Sequence, residues 1–214
     1  MPFEIRAHAR YNPAGLSQLN IVPGLVGTIL TMTMLIFTAL SVTREIERGT
    51  MEILLSMPVT PIEIMLGKII PYVLVGFVQA TLIIGIGIVL FGVPVMGSLL
   101  LLALLATLFI TANLAVGYTF STIAESQLQA MQMMVFFLLP SILLSGFAFP
   151  FRGMPNWAQW FGEFIPATHF IRVVRGILLK GNGFLEIWPD VWPLILALFT
   201  VGGVALLRFR RTLD

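Results

Sequence analysis

TREIERGTMEILLSMPVTPIEIMLGK, residues 43–68, is a charged stretch between two apolar runs, 22–42 and 69–91, that contain no charged residue. The stretch holds seven of the chain's 22 charged residues. A charged side chain at the centre of a bilayer costs about 2.5–3.5 kcal/mol even on scales derived from membrane insertion. The flanking runs are therefore predicted to span a membrane, and the charged stretch is predicted to lie in water between them.

The composition is that of an integral membrane protein. Of the 214 residues, 58% are hydrophobic and only 10% are charged, whereas soluble domains carry about 25% charged residues. A net charge of +2, with scattered basic residues, argues against nucleic-acid binding. The absence of cysteine excludes a disulfide, a thiolate metal site and a cysteine nucleophile in this chain.

Five segments are long and apolar enough to cross the hydrocarbon core, which takes about 20 helical residues. They are residues 22–42, 69–91, 98–120, 131–149 and 191–209. We therefore predict an all-α integral membrane protein with five transmembrane helices. The fourth segment is the weakest because it is short and contains Pro140, which membrane helices tolerate when neighbours satisfy the freed carbonyl. Residues 92–97 are predicted to form a tight turn, and residues 121–130 a short polar connector.

The orientation follows only partly from the basic residues. Five spans place the two chain ends on opposite sides, and with the amino end outside each side receives six Lys and Arg. The six on the inner side all lie within a few residues of span ends, where the positive-inside rule has most force. We therefore expect the amino end outside and the carboxyl end, with RFRR at 208–211, in the cytoplasm.

The charged stretch is patterned as helices rather than as a slack linker. Gly49 is predicted to end the first span, and Thr50 to cap a short helix over residues 51–57. Thr60 and Glu63, with proline between them at the first helical position, form a capping-box signature for the start of the second span. Two interpretations of the short helix stay open on chemistry alone. It is either a docking helix for a cytoplasmic partner or an amphipathic linker on lipid headgroups.

Residues 150–190 are too long for a turn and too aromatic for a linker. Asn156 is predicted to cap a short helix that ends at Pro166, and Thr168 to cap a second helix over residues 169–180, closed by Gly181. The second helix is too short to span, so we expect it to lie at the membrane interface or to dip partway in. His169, like His8, is expected at the surface or the interface.

No predicted span contains a charged residue or histidine before Arg208. Coupling to an ion gradient generally needs such groups at membrane depth, so we do not expect it here. Uncharged polar side chains could instead line a path for an amphipathic substrate, although such residues more often form interhelical hydrogen bonds. The candidates for such a path are Gln79, Asn113, Tyr118 and Gln132.

Catalysis by this chain is not expected. The phosphate-binding loop pattern G-x-x-x-x-G-K-[ST] is missing, because Ile62 stands where its first glycine belongs and Ile69 follows Gly67-Lys68. Two histidines without cysteine make no plausible metal cluster. The chain is therefore predicted to be neither an enzyme nor a metal or cofactor protein, and energy for uphill transport would come from outside it.

With these residues in view, the chain resembles the permease subunits of ABC-2 type exporters, the class that includes bacterial drug and lipid exporters. The resemblance covers the chain from residue 20 onward. It is carried by residues 43–68, by LSGFAFPFRGMPNWAQWFGEFIPATHFIRVVRGILLKG at 144–181, and by LRFRR at 207–211. It implies an ATP-driven exporter of hydrophobic or amphipathic substrates in the bacterial inner membrane. It also implies a homodimer or heterodimer of permeases, each bound to a separate cytoplasmic ATPase that holds ATP and Mg²⁺.

The resemblance also implies roles for two segments. The stretch at 43–68 corresponds to the family's coupling helix, with ATPase contacts at Glu45, Glu47, Arg48, Gly49, Thr50, Met51, Glu52 and Leu55. Residues 150–180 correspond to the family's extracytoplasmic helical hairpin, an outer gate with Pro150, Pro155, Trp157, Trp160, Pro166 and Arg172. A membrane anchoring or assembly subunit that recruits a cytoplasmic partner without transporting is the alternative.

One departure from the family pattern concerns the first span. ABC-2 permeases have six spans, and here the coupling stretch follows the first span instead of the second. Residues 1–21 resemble the end of an extracytoplasmic domain, and residues 22–214 the transmembrane domain. We therefore expect this chain to be the carboxyl-terminal portion of a longer permease or a truncated copy.

Overall fold

The computed structural model of the chain describes residues 17–50 and 60–211. In these two ranges the chain forms α-helices and one 3-10 turn, and no strand. The helices are α1 (Ser17–Glu47), α2 (Pro61–Phe91), α3 (Leu99–Ile123), α4 (Gln127–Leu144), α5 (Asn156–Glu163), α6 (Pro166–Lys180) and α7 (Phe184–Arg211), with the 3-10 turn at Phe151–Gly153 before α5.

Five of these helices are long and apolar enough to cross a membrane, as predicted. The spanning segments are Ile21–Glu47, Ile62–Phe91, Leu99–Ile123, Gln127–Leu144 and Phe184–Arg208. Most run beyond the apolar segments read from the sequence, because helical hydrogen bonding does not stop where the side chains become polar. The connector predicted at 121–130 is therefore reduced to residues 124–126, and α4 ends at Leu144 rather than at residue 149.

Two helices form the centre of the bundle. At least half of the apolar segment of α1 and of α3 is buried inside the protein. By contrast, α2, α4 and α7 expose apolar side chains such as Val89, Phe136 and Phe199. The backbones of α1 and α3 approach closely at Gly117, where an added Cβ would lie 3.0 Å from the carbonyl oxygen of Leu35. Small residues at such crossings allow close van der Waals packing, the main source of association between membrane helices.

The long helices alternate in direction, so the bundle has two distinct ends. At one end, the carboxyl terminus of α1 meets the amino termini of α2 and α4 through Glu45–Lys68 and Glu47–Gln127 contacts. We call this the Glu45 end. At the opposite end, α5 and α6 form a helical hairpin between the end of α4 and the start of α7. We call this the hairpin end.

The hairpin helices begin differently from the prediction. Asn156 is the first residue of α5 rather than its cap, since Pro155 holds the extended conformation before it. Helix α6 begins at Pro166, because proline suits the first helical position. Thr168 consequently lies inside α6, where its hydroxyl donates to the carbonyl of Gly162 at 2.6 Å and so joins α6 to the end of α5. Gly181, at φ +69°, ends α6 as predicted.

Helix α6 is largely enclosed by protein. Its apolar side chains, including Phe170, Val174 and Ile177, are fully buried, and the Phe170 ring stacks on Phe109 of α3 with centroids 4.0 Å apart. The expectation that His169 lies at a surface or interface is wrong, because this side chain is buried between α5 and α7. The sequence pattern misled for this residue because its partners come from α5 and α7 rather than from its own helix.

Candidate functional site

The end of α1 leads into exposed residues at the Glu45 end of the bundle. Helix α1 ends at Glu47, the Arg48 N–H still donates to the Arg44 carbonyl at 3.1 Å, and Gly49 adopts a left-handed conformation at φ +68° that favours glycine. This confirms the predicted helix stop. Arg48, Gly49 and Thr50 are exposed, so a partner could reach them. The other three predicted coupling residues, Met51, Glu52 and Leu55, lie outside the described residues.

Glu45 joins α1 to α2. Its carboxylate accepts a hydrogen bond from the Nζ of Lys68 in a direct ion pair. The pair is mostly enclosed, since the Lys68 side chain is 13% exposed and the Glu45 side chain 30%. Side chains this enclosed are screened less by solvent than surface charges, so their attraction is correspondingly stronger.

Glu47 joins α1 to α4. One of its oxygens accepts the backbone N–H of Gln127 at 2.6 Å, and the other accepts the Gln127 side-chain amide. Gln127 is the first residue of α4, where backbone N–H groups have no partner within the helix. A carboxylate at this position also complements the positive end of the helix dipole. We call the Glu45–Lys68 and Glu47–Gln127 contacts the α1 clasp, which ties three helices together beside the exposed turn.

The start of α2 has the predicted capping box. Thr60 Oγ1 accepts the Glu63 N–H at 3.4 Å, and the Glu63 carboxylate accepts the Thr60 N–H at 2.7 Å. The charged stretch therefore re-enters the bundle through an ordered helix start.

The four candidate path residues do not form one group. The amide oxygen of Gln79 accepts a hydrogen bond from the Thr33 hydroxyl at 2.8 Å, which joins α2 to α1. Asn113 is buried and donates to the carbonyl of Phe109 in its own helix. Tyr118 is fully buried, and Gln132 is exposed on α4. These contacts match the interhelical and intrahelical roles that polar residues commonly have in membrane proteins.

An open cavity of about 890 Å³ extends from the hairpin end toward the middle of α7, between α3, α4, α5, α6 and α7. Three of the six predicted gate residues line it, namely Trp160, Pro166 and Arg172. The other three, Pro150, Pro155 and Trp157, are exposed outside it. Aromatic side chains from α5 and α7 form much of the wall.

A cluster of four charged or titratable residues forms the polar wall of this cavity, and we call Glu163, His169, Arg172 and Asp190 the hairpin cluster. Arg172 contacts both Glu163 oxygens, at 2.6 and 3.0 Å, and also Asp190 Oδ1 at 3.3 Å. His169 Nδ1 lies 3.0 Å from Asp190 Oδ1, and its Nε2 lies 2.9 Å from the Glu163 carbonyl oxygen. The cluster thus joins α5, α6 and α7.

The two arginines of α6 differ in environment. Burial disfavours the charged form of Arg172, but the carboxylates of Glu163 and Asp190 outweigh burial and raise its pKa. Burial lowers the pKa of Arg175, which donates to the Gly146 carbonyl at 3.1 Å. Both guanidinium groups stay charged near neutral pH, because arginine is not deprotonated in proteins.

Sequence reasoning missed the hairpin cluster as a unit. The predicted last span begins at residue 191, immediately after Asp190, yet α7 already begins at Phe184. The i, i+3 spacing of His169 and Arg172 was the available signal, since it places both on one helical face. Within the described parts of the chain, no group of three or more His, Cys, Asp or Glu side chains is arranged to hold a metal ion.

Comparison with known proteins agrees with the fold. A family model described as ABC-2 family transporter protein matches residues 1–207. Among relatives from Escherichia coli (strain K12), the chain is 37% identical over 212 residues to the probable multidrug ABC transporter permease YbhS. It is 35% identical over 201 residues to the probable multidrug ABC transporter permease YbhR, and 37% identical over 224 residues to the inner membrane transport permease YhhJ.

These alignments cover 99%, 94% and 98% of this chain, respectively. They cover 56%, 55% and 56% of the three relatives, so the chain spans a little over half of their length. The match extends over all five apolar helices and both ends of the bundle. The chain therefore belongs to the ABC-2 transporter family.

Proposed function

We propose that this chain forms the membrane-spanning part of an ATP-driven ABC-2 exporter that moves hydrophobic or amphipathic molecules outward. A separate cytoplasmic ATPase would supply the energy. The α1 clasp is the observation that carries the proposal. It ties the end of α1, immediately before the exposed residues 48–50, to α2 at Lys68 and to Gln127, the first residue of α4. Family membership and the names of the relatives YbhS and YbhR as probable multidrug ABC transporter permeases support the same class of function.

The proposed mechanism is movement of helices by a partner that docks at the Glu45 end. The ATPase would bind the turn at residues 48–50 and the segment that follows it. A push on this turn acts on α1, and the contacts of Glu45 and Glu47 transmit it to α2 and α4. Such a partner shifts the transporter between two states only if it binds one state better than the other. The permease would work as a dimer, with the hairpin at the other end as the gate.

The test of docking is copurification of the ATPase with the full-length permease. The double variant Arg48→Glu, Glu52→Lys should lose the ATPase while membrane insertion is retained. The matched control is Arg152→Glu, an exposed charge reversal at the hairpin end. Undiminished copurification with the double variant would refute the docking role. Copurification without ATP-dependent transport in vesicles would favour an anchoring subunit instead.

The proposed orientation places the Glu45 end in the cytoplasm and the hairpin end outside. The chain contains no cysteine, so single cysteines report on accessibility. In intact cells, a membrane-impermeant maleimide should label Trp157→Cys and spare Thr50→Cys, and both should react after the cells are opened. Labelling of Thr50→Cys alone in intact cells would reverse the orientation.

A further inference from the structure

The cavity at the hairpin end has the size of a small-molecule site. Its volume of about 890 Å³ lies within the usual range of about 300–1,000 Å³ for ligand pockets. Such pockets combine apolar and aromatic walls with a few placed polar groups. Here the aromatic wall comes from α5 and α7, and the polar wall is the hairpin cluster. The chemistry of these two walls determines which ligand fits.

The charge that the polar wall offers to a ligand is mainly negative. Glu163 is the most accessible member of the cluster, with 45% of its side chain exposed, and Asp190 is 23% exposed. Arg172 is 31% exposed, but its two terminal nitrogens already bond these carboxylates. The Phe151 ring covers its guanidinium carbon at 4.4 Å. Arg172 therefore has little remaining capacity to bind an anionic ligand.

His169 does not change this balance at the cavity surface. Only 7% of its side chain is exposed, and both of its ring nitrogens face acceptors, Asp190 Oδ1 and the Glu163 carbonyl. Each carboxylate oxygen can accept more than one hydrogen bond. Glu163 and Asp190 therefore keep acceptor capacity for a further donor or cation.

The aromatic wall suits a cation as well. The cavity is lined by Trp160 of α5, Phe164 immediately after α5 and Trp192 of α7, and each of these side chains is half or more exposed. The Trp160 ring meets Phe164 and Phe161 edge to face, with centroids 5.0 and 5.7 Å apart, and Trp160 is still 64% exposed. Aromatic faces attract cations through their quadrupole, and tryptophan does so most strongly. Anions gain nothing comparable from these faces.

We propose that this cavity binds amphipathic organic cations. Their charged group would lie beside the carboxylates of Glu163 and Asp190, and their apolar body against Trp160, Phe164 and Trp192. The inference rests on the proposed export function, because it names the class of substrate for such an exporter. It concerns binding, however, and does not require the ATPase.

The test compares two ions of nearly equal shape and opposite charge, tetraphenylphosphonium and tetraphenylborate. Binding to the full-length permease in lipid nanodiscs is measured by calorimetry, with empty nanodiscs as the background. We expect saturable binding of tetraphenylphosphonium at one site per chain. Tetraphenylborate should show no binding beyond that of the empty nanodiscs.

Two matched tryptophan variants locate the site. Trp160 and Trp157 lie on the same helix and are 64% and 65% exposed, but only Trp160 lines the cavity. Trp160→Leu should weaken tetraphenylphosphonium binding about three- to tenfold, and Trp157→Leu should leave it unchanged. Because both rings are exposed, neither variant should disturb folding.

A charge variant should change the binding of the two ions in opposite directions, which misfolding would not do. Glu163→Gln removes one carboxylate and leaves Arg172 with Asp190 as its anionic partner. Tetraphenylphosphonium binding should weaken about tenfold, while tetraphenylborate should gain measurable binding.

Three outcomes would overturn the inference. The first is the absence of saturable cation binding, as expected if another helix of the assembly fills the cavity. The second is an equal loss of tetraphenylphosphonium binding in Trp160→Leu and Trp157→Leu. The third is equal binding of tetraphenylphosphonium and tetraphenylborate. If ATP-dependent export of another substrate persists without cation binding, only this inference fails. If the cation binds but no ATPase copurifies, the proposed export function fails instead.

Discussion

Replacing Glu45 by glutamine removes one charge from the α1 clasp and keeps the size of the side chain. Lys68 would then lie only 13% exposed without its anionic partner. The double-mutant cycle consists of Glu45→Gln, Lys68→Gln and the two changes together. Arg44→Gln, at an exposed position next to the clasp, is the control.

The magnitude follows from the burial of the pair. Exposed ion pairs contribute about 0–1 kcal/mol, and breaking a fully buried pair costs about 3–5 kcal/mol. The Glu45–Lys68 pair is mostly enclosed but still reached by solvent. We therefore expect each single variant to lose about 1–3 kcal/mol and the double variant to lose less than the sum. For a domain of this size, that is about 2–4 °C in Tm per kcal/mol.

Thermal unfolding in detergent micelles gives the energies, and vesicle transport gives the function. If Glu45 transmits motion rather than docks, Glu45→Gln should retain ATPase copurification but transport more slowly. A coupling energy below about 0.5 kcal/mol, the usual range for independent sites, would refute the clasp as an energetic link. Loss of ATPase binding at unchanged stability would instead make Glu45 a docking residue.

Three further predictions concern local features of the bundle. Glu47→Gln should lower Tm more than Gln127→Ala, because only the former also weakens the bond to the first backbone N–H of α4; equal losses would contradict this. Gly117→Ala should cost about 1–3 kcal/mol by crowding α1, whereas Gly85→Ala, with open space around it, should not destabilise. Thr60→Ala should cost about 1 kcal/mol by removing the cap of α2, measured as a lower Tm.

Local features of this protein could be read from the sequence because they depend on neighbouring residues. The five apolar helices follow from the cost of placing charge in lipid. Gly49 and Gly181 end helices, and Thr60 with Glu63 begins one, through interactions within a few residues. The predicted caps at Asn156 and Thr168 are wrong because Pro155 and Pro166 set the helix starts instead. At each start a capping residue and a proline were both present, and the proline decided where the helix begins.

The sequence by itself determined the fold class, the number of apolar helices and the location of the charged stretch. Only the tertiary structure decided which distant side chains meet. Glu47 and Gln127 lie 80 positions apart, and His169 and Asp190 lie 21 positions apart, so no helical or strand period relates either pair. The surroundings of α6 could not be read from the sequence either, because Thr168, His169 and Arg172 find their partners on α5 and α7. Burial of a polar helix depends on such partners, and only the folded chain supplies them.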